Sequence, residues 1–376
     1  MSGFDFIVVG AGVSGASAAA ALAEWGRVAL VEAEDAPGMH STGRSAALYT
    51  PNYGGPVARR INIASGIFYT SPPEGFSDAP LLAPRGALTL ARPGQEALLD
   101  EVLANANVRH PIERVTAARA SELAAFIRPE FIADAAYEAG VMDMDVAAIH
   151  QGFLRAHRQR GGTLLCRAPV ENLRRVGGVW QVQAGRHALE APVLVNASGA
   201  WGDVVAARAG ARPVGLVPKR RTAIVVEPPA GMDVSRMPVI EFAGHGPYMK
   251  PQASGIMCSP ADETPDVPRD VQPDDMDVAV LVDWVERHSF VTVRKAPRTW
   301  AGLRSFVTDA APVVGFDPAA EGFFWLVGQG GFGIMMAPVL ARVTAALATG
   351  GAMPADLAER GITAADLAPD RPSLAA

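Results

Sequence analysis

The segment Gly10-Ala11-Gly12-Val13-Ser14-Gly15 constrains the fold of this chain more than any other, because of what flanks it. Phe4 to Val9 is a short apolar run with one polar residue, the pattern of a strand covered on both faces in a parallel sheet. An alanine-rich stretch then reads as a helix from Ser14 to Ala23, ending near Trp25 and Gly26, where glycine suits a left-handed C-terminal position. A tight turn must join strand to helix. Gly10 permits that turn, Gly12 lets backbone approach a pyrophosphate, and Gly15 lets the helix pack closely on the strand. The free N–H groups and dipole at the helix start would face a phosphate. Arg27 to Val31 is the next strand. Glu32 closes it at about the 20-residue spacing where a carboxylate accepts hydrogen bonds from ribose hydroxyls and disfavours a 2′-phosphate.

With 376 residues the chain is long enough for two domains, each with its own core. A hydrophobic content of 49% with 38 glycines fits a globular α/β enzyme, and a net charge of −6 argues against a general nucleic-acid binder. The two cysteines, Cys166 and Cys258, make no disulfide framework and no metal-ligand spacing, so both read as ordinary packed or surface residues in a reducing compartment. No apolar stretch reaches the roughly 18 residues of a membrane span, and the N-terminal apolar segment is needed as a strand rather than a leader. The expected location is the cytoplasm, with peripheral docking at a membrane surface left open.

The nucleotide fold is expected to be discontinuous. A Gly/Pro/Ser-rich region covers Pro37 to Pro56, and a mixed, proline-punctuated segment follows to about Gly140. Helical patterning returns from Val146 to Arg160, Thr163 to Arg167 reads as a strand, and Glu171–Val176 with Val179–Ala184 flank Gly177-Gly178 as a hairpin. Val193 to Ala197 is a second buried strand ending in Ser198-Gly199-Ala200-Trp201, a place where backbone approaches a ligand. Alternation such as Thr222 to Val226 suits an antiparallel sheet with one face toward a ligand, and the acidic stretch Asp262 to Asp277 reads as a solvated loop. Gly322 to Val327 is a third buried strand, after which the segment from Gly328 to Gly333 opens a helix.

Four segments in order, GAGVSG, His40 to Ala47, VNASGAW and GQGGFGI, resemble the D-amino-acid oxidase superfamily of flavoproteins, and within it the chain looks most like the bacterial D-arginine dehydrogenases. The similarity spans nearly the whole length, including Lys219-Arg220-Arg221 and Trp300 to Phe306. It implies non-covalent FAD and an α/β fold: a glutathione-reductase-like FAD-binding domain, doubly wound on a mostly parallel sheet, with an inserted antiparallel-sheet substrate domain. The expected boundaries are 1–50, 141–215 and 298–376 for the FAD-binding domain, and 51–140 and 216–297 for the substrate domain. By the resemblance Gly10, Gly12, Ser14, Gly15 and Glu32 hold the ADP half of FAD. Ser41, Thr42, Arg44, Ser45 and Ala46 line the pyrophosphate and flavin, with Val170 also a cofactor contact. Gly199, Trp201 and the turn of Gly330, Gly331, Phe332, Gly333 and Ile334 close around the ring. A glycine-rich helix start there would place N–H groups where reduction builds negative charge.

The implied reaction is oxidation of an amino acid to an imino acid by hydride transfer from Cα to flavin N5, which requires the substrate carboxylate to be clamped. A planar guanidinium clamps bidentately. Arg304, flanked by Leu303 and Phe306, matches the family's clamp, Arg221 a supporting contact, and Tyr53 and Tyr248 its substrate-bonding tyrosines, with Gly331 beside the reacting centre. No general base is expected, since an amine desolvated against apolar walls loses its proton more readily. Two positions depart from the D-arginine enzymes: Leu48 replaces a substrate-contacting histidine, and Ala87 replaces the glutamate that pairs with a guanidinium. An unpaired buried cation costs several kcal/mol. The expected substrate is therefore a neutral D-amino acid, with quinone or oxygen as electron acceptor; His245 near Tyr248 reads first as a solvated loop histidine, with a replacement substrate contact as its alternative role. Three alternatives stand beside it: a glycine- or sarcosine-type oxidase acting on an N-methyl or cyclic amino acid, an NAD-dependent dehydrogenase, and a non-catalytic nucleotide-binding module.

Overall fold

Apolar runs far apart in the chain line up side by side. In a computed structural model describing residues 2–244, 246–252, 255–295 and 298–374, the strand Phe6–Val9 lies between Val28–Val31 and Val193–Asn196, all parallel. Thr163–Leu165 extends one edge, and Phe323–Val327 the other, also in parallel; Val313–Phe316 finishes that edge antiparallel. Every residue of Phe6–Val9, Val28–Val31 and Phe323–Val327 is buried, which is why these strands are continuously apolar rather than alternating.

One face of this sheet is covered by the helices Val13–Leu22, Val146–Gln159 and Gly333–Ala348. The other carries an antiparallel meander, Val170–Val176, Val179–Ala184 and His187–Ala191, with the helix Gly202–Ala209; Trp180 from the meander packs edge-on against Phe323 at 6.1 Å. The hairpin expected from Gly177-Gly178 forms, and a third strand joins it. His187–Ala191 was missed in the sequence because only Leu189 and Ala191 of its five residues are buried, too short an alternation to stand out.

The second large sheet is mostly antiparallel. Val217–Val226 pairs with Arg298–Phe306 from Val217↔Phe306 to Val225↔Arg298, so 298–306 belongs to this sheet and not to the nucleotide portion where the sequence reading put it. Its strands alternate cleanly. Leu88, Leu90, Ile224, Ile240, Met249 and Cys258 pack with Leu281 and Val285 of the helix Asp275–His288. Arg221, Ala223, Tyr248, Lys250 and Met257, at the intervening positions, are left to face the first sheet. The expected solvated loop 262–277 is mostly exposed, as read, with two departures at its ends. The Asp262 side chain is only 8% exposed, its carboxylate accepting from Thr222 N at 2.6 Å and Thr222 Oγ1 at 2.9 Å, and Asp274 caps the helix Asp275–His288. Among the described residues no helix is long and apolar enough to cross a membrane, and no group of three or more His, Cys, Asp or Glu could hold a metal.

Candidate active site

A cleft of about 430 Å³ opens where the C-terminal ends of the parallel strands meet the second sheet. Its first wall is the glycine turn. Gly10 has φ +96°, and a Cβ there would stand 2.6 Å from Ala197 O; a Cβ on Gly15 would collide with Gly10 O. Gly15 therefore does not line the cleft but sets how closely the helix packs, while Gly10, Gly12 and Ser14 do line it. Glu32 lines it too, with its carboxylate braced by Ala11 N at 2.8 Å and Glu34 N at 3.1 Å.

His150, which sequence reasoning missed, holds the carbonyl of the same residue, Ala11, whose N–H Glu32 braces. Its Nε2 lies 2.9 Å from Ala11 O, and because a carbonyl only accepts, Nε2 carries the proton. The ring is 5% exposed and fits because Gly38 has no Cβ; one there would approach His150 Cε1 to 2.8 Å. Burial lowers the pKa of His150, favouring the neutral ring. A lone histidine in a helical pattern gives no signal of such a partner 139 residues away.

The turn from Ser41 to Ala47 joins the two sheets, and here the structure redistributes the expected roles. Ser41, Thr42, Arg44, Ser45 and Ala46 all line the cleft. Three of their polar groups are nevertheless committed within the protein: Thr42 Oγ1 accepts from Val13 N at 3.0 Å, Ser41 Oγ donates to Leu303 O, and Arg44 bonds Ala301 O, Val271 O and the Asp270 carboxylate. Arg44 is thus a tie to the second sheet rather than a free phosphate ligand. Lys250, also missed, completes the joint: its Nζ reaches Ala46 O at 3.3 Å, Ala47 O at 3.4 Å and the Asp143 carboxylate at 2.9 Å. The alternation of Tyr248 and Lys250 on one strand was the available clue.

The far wall brings Arg221, Tyr248 and Arg304 together with Gly330, Gly331, Gly333 and Ile334, and Val170, Gly199 and Trp201 complete the lining. Register explains the arginines: Lys219 pairs with Arg304 and Arg221 with Gly302, so Lys219, Arg221 and Arg304 share one face of adjacent strands. The Arg304 guanidinium lies against Gly331, where a Cβ would stand 3.1 Å from Nη1. Burial lowers the pKa of Arg221, and neighbouring Arg304 pushes it the same way. Arg221 Nε is buried without a partner, and Arg304 makes no ion pair among the described residues. Two adjacent guanidiniums with open donors call for an anion.

Tyr53 and Phe332 stand outside the lining. Tyr53 is 54% exposed on the rim, its ring 5.2 Å from that of buried Phe332 at the start of the helix Gly333–Ala348. Desolvation of its hydroxyl raises its pKa, against the opposing pull of Arg304. Gln329, another residue that sequence reasoning missed, contributes a buried, unpartnered amide nitrogen to the cleft region.

At the departing positions, Leu48 pairs with Asp143 and Ala87 with Glu138. A carboxylate is therefore not missing from this part of the sheet; it stands directly across the ladder from Ala87. Burial pushes the Glu138 carboxyl up to about 7, while Asn52 Nδ2 donates to it at 2.9 Å. His245 lies outside the described residues. Neither cysteine lines the cleft, and Cys258 is buried with its thiol pushed up by burial.

Three solved structures share the fold. They are glycine oxidase from Geobacillus kaustophilus (TM-score 0.80, 21% identity, 96% of this chain and 98% of that one), L-proline dehydrogenase from P. horikoshii (0.80, 19%, 96% and 99%), and L-alpha-glycerophosphate oxidase from Mycoplasma pneumoniae with FAD bound (0.81, 17%, 93% and 95%). The FAD dependent oxidoreductase (DAO) family matches residues 5–347. The residues present fit that cofactor: a turn that excludes Cβ atoms, a braced carboxylate lining the cleft at the end of the next strand, and a second set of glycine-rich ends across the cleft. The chain belongs to the FAD dependent oxidoreductase (DAO) family, and FAD is its cofactor.

Proposed function

We propose that the protein oxidises a neutral D-amino acid to the imino acid, with FAD held non-covalently. FAD, when bound, supplies the acceptor for the hydride that leaves Cα. The observation that carries the reading is the pair Arg221 and Arg304, two cations on one face of the cleft with donors left open. Arg304 holds the substrate carboxylate bidentately and so fixes the direction of the Cα–H bond; Arg221 supports the same anion. Tyr248 and, from the rim, Tyr53 hydrogen-bond the substrate, and Gly331 keeps the space beside Arg304 clear. Ala223, Met257 and Trp300 give the wall an apolar stretch against which the amine loses its proton without a dedicated base.

Gly10, Gly12, Ser14 and Glu32 hold the ADP half. Gly199, Trp201 and the Gly330 to Ile334 turn enclose the ring. The helix dipole at that turn favours negative charge on it. Resemblance to the D-arginine dehydrogenases supports the D configuration. Ala87 supports a neutral side chain, because Glu138 across from it already receives the Asn52 amide and is half protonated near pH 7.

A second reading, an N-methyl or cyclic amino acid, is supported by the apolar wall and by fold neighbours named for glycine and L-proline. Anaerobic bleaching of the flavin by a panel of D-, L- and N-methyl amino acids tests both. Bleaching by D-leucine or D-methionine well ahead of D-arginine supports the first; fastest bleaching by sarcosine or proline selects the second. Release of hydrogen peroxide in air distinguishes oxygen from a quinone as acceptor.

A further inference from the structure

Arg221 has a neighbour on each side. The strand Val217–Val226 pairs with Arg298–Phe306 along one edge and with the short strand Thr264–Pro265 along the other, where Arg220 meets Thr264 and Lys219 meets Pro265. That register puts Glu263 beside Arg221. Glu263 Oε1 lies 3.1 Å from Arg221 Nη2, and its Oε2 lies 2.8 Å from Lys219 Nζ. The position follows from that strand pairing and is reinforced by the preceding Asp262, whose carboxylate accepts two hydrogen bonds from Thr222. Glu263 is ionised at neutral pH: the hydrogen bond from Lys219 holds its carboxyl below the usual range, with Arg221 and Arg304 adding to the effect.

Lys219, Arg221 and Arg304 share one face of the sheet; Arg221 and Arg304 line the cleft, and Lys219 and Glu263 stand beside that lining, joined to it through Arg221. Glu263 supplies one carboxylate from within the chain, and Arg304 is left for another. We propose that Glu263 is a specificity-determining residue that occupies the second anion position of the site and restricts the substrate to a single carboxylate. An amino acid with an acidic side chain would have to place that group on cations already neutralised by Glu263 and against its like charge. Glu263 is half-exposed, so Glu263→Gln removes the charge without opening a cavity in the core.

The inference rests on the reading of Arg304 as carboxylate clamp, and the test separates the two. In the FAD-loaded protein, calorimetry gives dissociation constants for acetate and malonate, and an artificial electron acceptor gives kcat/KM for D-leucine and D-aspartate. Glu263→Gln is expected to tighten malonate relative to acetate at least about tenfold, and to raise the D-aspartate to D-leucine ratio by a similar factor. Glu263→Asp, which keeps the charge, is expected to hold both ratios near their parental values. Ratios unchanged in Glu263→Gln, or shifted equally in Glu263→Asp, would overturn the assignment. If no amino acid reduces the parent enzyme, the functional reading fails, yet the malonate to acetate ratio still decides the role of Glu263.

Discussion

The two walls of the cleft solve opposite problems. Around the glycine turn nearly every polar group in reach has a partner inside the protein: Ala11 N–H on Glu32, Ala11 C=O on His150, Val13 N–H on Thr42. Across from it Arg221 keeps a buried donor open and Arg304 makes no ion pair among the described residues, while the Glu263 carboxylate beside Arg221 is shared with Lys219. A tightly bound cofactor is served by a backbone fixed in advance, which lowers the ordering cost of binding. A substrate that comes and goes is served by charge held in readiness, so that its arrival relieves a repulsion already present.

That contrast can be broken most sharply at Arg304. Arg304→Ala is expected to lower kcat/KM for the best amino acid by about 10³, or roughly 4 kcal/mol, while FAD affinity stays within about twofold. Parallel loss of FAD would show that the walls are not separable. On the other wall, Gly15→Ala drives a Cβ into Gly10 O, which no side-chain adjustment relieves. Overpacking of this kind costs up to about 3 kcal/mol, so FAD titration should show affinity about 100-fold weaker, with the amino-acid KM little changed in the fraction that retains flavin.

His150→Ala removes one brace of the Ala11 peptide and should weaken FAD about tenfold, the scale of one buried hydrogen bond. Since Nε2 is the donor, Glu or Asp at 150 should not rescue the loss, whereas Gln, which can present an N–H, should recover part of it. Fluorescence of released FAD is the readout, and equal weakening in the Gln and Ala variants would show that ring packing matters more than the donor.

The smallest expected effect concerns Glu138. Its carboxyl stands at about 7 in the folded chain against an ordinary value of 4.5, so the unfolded chain binds fewer protons between those pH values and stability falls as pH rises through that window. Glu138→Gln should therefore raise stability by about 1 kcal/mol at pH 8, with little change at pH 4. Urea melts at the two pH values check the sign.

Legibility followed the same division. The first wall was readable because its signals are local: an apolar run, glycines at fixed spacing and an acid at the next strand end all lie within the first 32 residues, and the strands at 193–196 and 323–327 announce themselves by short apolar runs, Val193 to Val195 and Phe323 to Val327. Arg221, Tyr248 and Arg304 could be picked by resemblance, and the fold brings all three into the lining. What surrounds them could not be read. Arg44, expected to line the pyrophosphate and flavin, lines the cleft but spends its guanidinium on Asp270 and Ala301, and the acid absent at Ala87 has a counterpart in Glu138 opposite it.

The sequence by itself determined the nucleotide turn, the parallel core strands and the period-two face of the second sheet, because turn chemistry and burial are properties of neighbouring residues. Tertiary structure alone decided which charges meet. Glu263 beside Arg221, Glu138 across from Ala87, Lys250 on Ala46 and His150 on Ala11 all depend on strand register or helix placement between segments 42 to 204 residues apart. A slip of one residue in any of those ladders would turn the same side chains to the opposite face.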